Sequence, residues 1–292
     1  MDSPKVQSSE QASAILYHHP YSICSIMVRY TLAIRGAPKE ASTMMIVEEQ
    51  EVDILHGAQL EEQYLCEVNP KGQVSVVGNP AISYGKTGLE FAMADSSIKV
   101  PVLASVTLLP APITDSLEIT MYLAELYPNL QPKAHEQQIV RFLRDLHAIN
   151  YFSLSYGTKP QFAGSLKDSV LERMREPTAS QHYREALEYK LKITETEKVG
   201  GVLPAQVDTE LKRTSLFLSH MEQLLVPLSG PWLFGLLVPT ALDAHFVTFL
   251  ARLRDLGRDE LIPPSLRAYE DAAMETPEWR RVMNGRRTMY SG

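Results

Sequence analysis

Two cysteines, Cys24 and Cys66, are all that the 292 residues contain, and no CxxC spacing joins them. That scarcity excludes a disulfide framework and a cysteine zinc site, and it fits a reducing, cytoplasmic setting. Also missing is any apolar run of the roughly 18 residues needed to cross a bilayer. Basic charge is short as well: 28 Lys and Arg stand against 35 Asp and Glu, a formal charge of -7. Nucleic-acid surfaces need clustered cations against phosphates, so no nucleic acid and no membrane are expected as partners. The opening "MDSPKVQSSEQAS" lacks the apolar core of a secretory signal and the arginines of a transit peptide, and residues 1–13 read as a loose tail.

What is present is the composition of a folded chain, 45% hydrophobic and 22% charged, long enough for two domains. "AILYHH" reads as a strand, "SICSIMVRYTLAIRG" as a helix with Ile23, Ile26, Met27, Tyr30, Ala33 and Ile34 on one face and Gly36 as its C-terminal cap, and "MMIVEEQEV" as a second strand. A Gly, Pro, Ser and Asn-rich stretch follows, with an irregular insertion over 74–98. "KVPVLASVTL" and "PAPITDS" predict two more strands, and "LEITMYLAELYP" a helix closed by Pro128. This first domain spans 14–131. From 132 to 292 the signals are helical: "EQQIVRFLRDLHAINYF" reads as one amphipathic helix, and "LDAHFVTFLARL" is apolar nearly all round, as a central helix would be.

Chemistry points first to the turn before the first helix. Ser22 falls at the N-cap, where unpaired amides and the positive end of the helix dipole collect. A cis Val100–Pro101 bond at the start of "VPVL" would leave the Val100 backbone able to pair with an extended peptide. Asp115 and Ser116, opening another helix, suit an α-amino acid end group: an acceptor for its ammonium, donors for its carboxylate. Thr240 and Asp243 in "TALD" have capping-box spacing, a structural role. His18 and His19 are adjacent on a strand and point to opposite faces, so they make a poor metal pair; no metal is expected.

In "LYHHPYSICSIMVRYTLAIRG", "NPKGQV", "KVPVL", "ITDSLEITMYLAELYP" and "WLFGLLVPTALDAH" the chain resembles the glutathione S-transferase superfamily over most of residues 15–290. The resemblance implies a thioredoxin-like α/β N-terminal domain plus an all-α C-terminal domain. Its active-site turn is similar to the serine-type turn of zeta class enzymes, Ser-Ser-Cys-Ser then Val-Arg, with Ser22 at the catalytic position, Cys24 at the motif cysteine, Arg29 at the helix arginine and Ile23 replacing the second serine. The chain also looks like fungal pathway enzymes that tailor secondary metabolites.

The resemblance implies that Ser22 activates the thiolate of glutathione, that Val100 with Pro101 holds its cysteinyl backbone, and that Asp115 with Ser116 holds its γ-glutamyl end. Lys71, Gln73 or Lys99 would reach the glycyl carboxylate, and Tyr21, Cys24, Tyr151 and Tyr156 would border the pocket for the second substrate. The expected activity is transfer of glutathione to an apolar electrophilic small molecule by a cytoplasmic homodimer. The alternatives are cis–trans isomerisation of a conjugated double bond and, from another class, a non-catalytic binding protein, a reading favoured by the insertion beside the expected tripeptide site.

Overall fold

The computed structural model describes residues 12–69, 100–225 and 229–290. Strand β1 (Ala12–His18) forms the centre of a small sheet and starts two residues earlier than its sequence pattern predicts. Helix α1 (Ile23–Ile34) then buries Ile23, Ile26, Met27, Tyr30 and Ile34, with Ala33 partly covered. Gly36, at φ +70°, takes the left-handed conformation just past the helix end, which a side chain would strain. Strand β2 (Met45–Glu51) pairs parallel to β1, Ala12 opposite Met45 and His18 opposite Glu51. Among the described residues it is an edge strand with exposed glutamates, which disfavour edge-to-edge pairing.

Strand β3 (Val102–Ala104) lies antiparallel on the other side of β1, giving the order β2-β1-β3. The further strand expected at "PAPITDS" is reduced to a single bridge, in which Leu103 and Ile113 exchange backbone hydrogen bonds of 2.9 Å. Pro110 and Pro112 have no N–H to lend to a ladder, which accounts for the loss. Helix α2 (Ser116–Leu126) starts at its Asp115 cap and stops before Pro128.

The second half comprises α3 (Glu136–His147), α4 (Tyr151–Tyr156), α5 (Gln161–Met174), α6 (Gln181–Ile193), α7 (Pro204–Glu222), α8 (Ala241–Asp255), α9 (Pro264–Met274) and α10 (Pro277–Met283). The single helix expected from "EQQIVRFLRDLHAINYF" is two. Asn150 breaks it, its side chain accepting from the amides of Phe152 at 3.0 Å and Ser153 at 3.2 Å, so Tyr151, Phe152 and Tyr156 belong to a separate short helix.

Helix α8 is buried from Ala241 to Leu253, as its all-round apolar pattern predicts. Its capping box is formed: the Asp243 carboxylate accepts from the Thr240 amide at 2.7 Å, and the Asp243 amide donates to Thr240 Oγ1 at 3.4 Å. Around α8 runs one apolar core in which Leu16, Ile26 and Leu103 from the first half join Leu143, Phe246 and Leu250 from the second. Each large side chain so buried contributes roughly 1.5–3 kcal/mol, and α1, packed on α8 and α10, is thereby held at a fixed place. On the other face of the sheet, Val52, Leu60, Tyr64 and Val102 pack against Val170 and Tyr183 of α5 and α6.

Candidate active site

Ser22 closes the turn from β1 into α1 and is half-buried. Its hydroxyl oxygen accepts from the Ser25 amide at 3.4 Å, capping the helix, and its single proton is donated to the Val100 carbonyl at 3.3 Å. Both bonds are long against the usual ranges of about 2.5–3.0 Å for a hydroxyl donor and about 2.7–3.2 Å for an amide donor, so that proton is weakly held. Around it the turn is braced: Ser22 N donates to the His19 carbonyl at 3.0 Å, His19 N to Ser25 Oγ at 3.2 Å, and Tyr21 N to His19 Nδ1 at 3.3 Å.

The Val100–Pro101 peptide is cis. Pairing of Tyr17 with Val102, continued antiparallel, sets Val100 level with His19; the Leu103 to Ile113 bridge, continued likewise, sets Asp115 level with Pro101. Thus the sheet topology brings Ser22, Val100, Pro101, Asp115 and Ser116 to one end of the sheet. Asp115 Oδ1 accepts from Leu117 N and Glu118 N at 2.9 Å each, and Ser116 is buried as the first residue of α2. Lys71, Gln73, Lys99 and the 74–98 insertion lie outside the described residues.

Electrostatics under the turn favour neutral histidines. Burial, reinforced by the Arg29, His19 and Arg286 charges, pushes His18 down to about 4. Burial also lowers His19, against an opposing pull from Glu51 and Asp53. Arg29 is occupied structurally: Nε donates to Glu49 at 2.8 Å and a terminal nitrogen to the Val282 carbonyl at 3.1 Å, tying α1 to β2 and α10. Among the described residues, no group of three or more His, Cys, Asp or Glu is placed to hold a metal ion.

Of the expected pocket residues, Tyr151 stands apart from the other three. Tyr21 meets the exposed Tyr290 edge-on, ring centroids 5.4 Å apart. Cys24, half-buried, is the second residue of α1. Tyr156 is half-buried and stacks on Phe162 at 4.3 Å and near Phe152 at 4.7 Å; burial raises its pKa and the Arg252 charge opposes that. Tyr151 is set against the helical core instead, its hydroxyl donating to the Leu146 carbonyl at 2.9 Å and its ring against Phe249.

Sequence reasoning passes over Arg252, which reaches from α8 to the Tyr21 carbonyl at 2.8 Å, and over Thr288 and Tyr290, which the chain end brings to the same place. A lone arginine in "FVTFLARL" is the signal that could have found the first, because charge in an all-round apolar helix is costly.

No protein-family model matches this sequence, and no curated protein matches it. Solved structures are similar in fold. Ure2p in complex with glutathione is 14% identical, covers 96% of this chain and 97% of its own, and gives a TM-score of 0.58. A glutathione transferase from Pseudomonas putida with glutathione disulfide bound is 13% identical, covers 96% of this chain and 94% of its own, with a TM-score of 0.56. Maleyl pyruvate isomerase, a bacterial zeta class glutathione S-transferase, is 19% identical, covers 92% of this chain and 95% of its own, with a TM-score of 0.51. Among the described residues, a three-stranded sheet with α1 and α2, followed by α3 to α10 with α8 buried among them, is therefore the glutathione S-transferase fold, a thioredoxin-like domain joined to a helical one.

Proposed function

We propose that this protein is a serine-type, glutathione-dependent transferase in which Ser22 donates its hydroxyl proton as a hydrogen bond to the thiolate sulfur. The observation that carries the reading is the pairing of the Ser22 hydroxyl with the Val100 carbonyl at 3.3 Å, at the N-terminus of α1. One hydroxyl has one proton to give. An extended peptide running beside Val100 would take that carbonyl with its own N–H, and the Ser22 proton would turn to a sulfur lying over the helix end.

The energies are adequate. Lowering a thiol from about 8.5 to about 6.5 takes roughly 2.7 kcal/mol. A hydrogen bond to a charged acceptor supplies about 1.5–3 kcal/mol and a helix N-terminus about 0.3–1 kcal/mol. When bound, glutathione supplies the sulfur nucleophile; the chain contributes the Ser22 proton, the Val100 backbone, and Asp115 with Ser116 for the amino-acid end. Lys71, Gln73 or Lys99 would take the glycyl carboxylate. By the same reading the protein works as a cytoplasmic homodimer on an electrophile with an apolar body, of the kind met in secondary metabolism.

A second reading, glutathione-dependent cis–trans isomerisation, is favoured by the likeness to maleyl pyruvate isomerase. Incubation with glutathione and a conjugated enone separates the two: thiol consumed with adduct formed indicates transfer, whereas geometric isomers at constant thiol indicate isomerisation. Failure to bind glutathione at all would return the protein to a non-catalytic binding role.

A further inference from the structure

Arg252, in the last turn of α8, is 6% exposed. Its Nε donates to Thr288 Oγ1 at 3.1 Å, and one terminal nitrogen donates to the Tyr21 carbonyl at 2.8 Å and to the Thr288 carbonyl. These acceptors are all neutral, and the other terminal nitrogen meets no acceptor among the described residues. No carboxylate among the described residues lies within ion-pair distance either. Asp255 attracts the guanidinium only from further off, and its own oxygens are taken by Arg287 at 2.9 Å and by Thr288.

Burial brings Arg252 down to about 10, so it is still a cation at neutral pH. Buried charges are ordinarily paired, because desolvation costs more than hydrogen bonds to neutral groups return. The carbonyl end of α8 and Asp255, one hydroxyl away through Thr288, offset part of this charge, and no direct ion pair among the described residues completes it. Its surroundings say where a counter-charge would come from. Tyr21, whose carbonyl it holds, directly precedes Ser22, and Cys24 and Tyr156 both lie within its electrostatic reach.

We infer that Arg252 is the recognition residue for an anionic group on the second substrate: the electrophile carries a carboxylate, which pairs with this guanidinium beside the Ser22 turn. The inference rests on the function proposed above and narrows it, from an apolar molecule to an apolar body bearing one acid. The one uncommitted terminal nitrogen can donate to a carboxylate oxygen, a charge-assisted hydrogen bond, while the other donors of the planar group hold it in place.

The test is equilibrium binding, by calorimetry, of 4-carboxychalcone and of its methyl ester to the full chain, with and without glutathione, for the wild type, Arg252→Met and Arg252→Lys. The wild type is expected to bind the acid at least about tenfold more tightly than the ester, an advantage worth about 1.4 kcal/mol. In Arg252→Met the ratio is expected to fall to about one, and in Arg252→Lys part of it is expected to remain. Equal binding of acid and ester by the wild type overturns the inference without any variant. So does an undiminished preference in a folded Arg252→Met, or equal losses for acid and ester accompanied by a raised thiol pKa of bound glutathione, which would mean that the cation serves the sulfur. Absence of glutathione binding with the acid preference intact would instead count against the proposed activity and leave the anion site standing.

Discussion

At Glu270 a carboxyl is wholly buried in α9, its ion-pair contact with Arg254 stretched to 3.5 Å, and burial outweighs that attraction and pushes its pKa up to about 7. Because the folded value lies above the unfolded one, the folded state binds the extra proton between them. The wild type therefore gains stability as pH falls from about 7 toward 4.5 and lacks that gain at pH 8. Glu270→Gln, neutral at every pH, is expected to be the more stable protein at pH 8, by on the order of 2 kcal/mol, with the difference vanishing near pH 4.5. Chemical denaturation at both pH values checks this; a variant weaker than wild type at pH 8 contradicts it. His18 shifts the other way, down to about 4. Its imidazole is expected to titrate well below an ordinary histidine in an NMR pH series, and a midpoint near 6.5 would mean that the space under the turn is wet.

Among the elements, α8 is anchored at its N-terminus by one buried side chain. Asp243 accepts from Thr240 N at 2.7 Å, Leu233 N at 3.0 Å and the Tyr269 hydroxyl at 2.7 Å, all buried. Asp243→Ala leaves those donors without partners and is expected to cost about 3–5 kcal/mol, read as a fall in thermal midpoint; a loss under about 1 kcal/mol, the worth of an exposed cap, would mean that water replaces the carboxylate. The box itself was legible in "TALD" because capping is local. Leu233 and Tyr269 were not, since nothing in their spacing ties them to position 243. The same contrast explains the helix that became two: the apolar period continues through Asn150, and only the cap made by its side chain decides that a new helix starts there. The fourth strand was overread because alternation in "PAPITDS" hid the donors its prolines lack.

At the scale of the molecule, one core joins sheet and helices, so the Ser22 turn is fixed from behind by α8 and α10. The chain end is latched over it through Arg252 and Asp255, which hold Thr288, and through Tyr290 against Tyr21. Removing residues 286–292 is expected to lower the thermal midpoint and weaken binding of the second substrate more than that of glutathione, since the strand end with Val100 keeps its own support; calorimetry of both ligands decides, and equal losses would contradict the arrangement. The capping positions of Ser22 and Asp115 and the cis bond after Val100 were readable because caps and prolines obey local rules. Arg252 was not, because only the packing of α8 brings it to the turn. The central claim is that the Ser22 proton stabilises a sulfur anion, and the most direct measurement is the pH titration of thiolate absorbance for glutathione bound to the wild type and to Ser22→Ala. The account predicts an apparent pKa near about 6.5 in the wild type and a return toward about 8.5 in the variant, with glutathione affinity much less changed; the same titration in both proteins would contradict it.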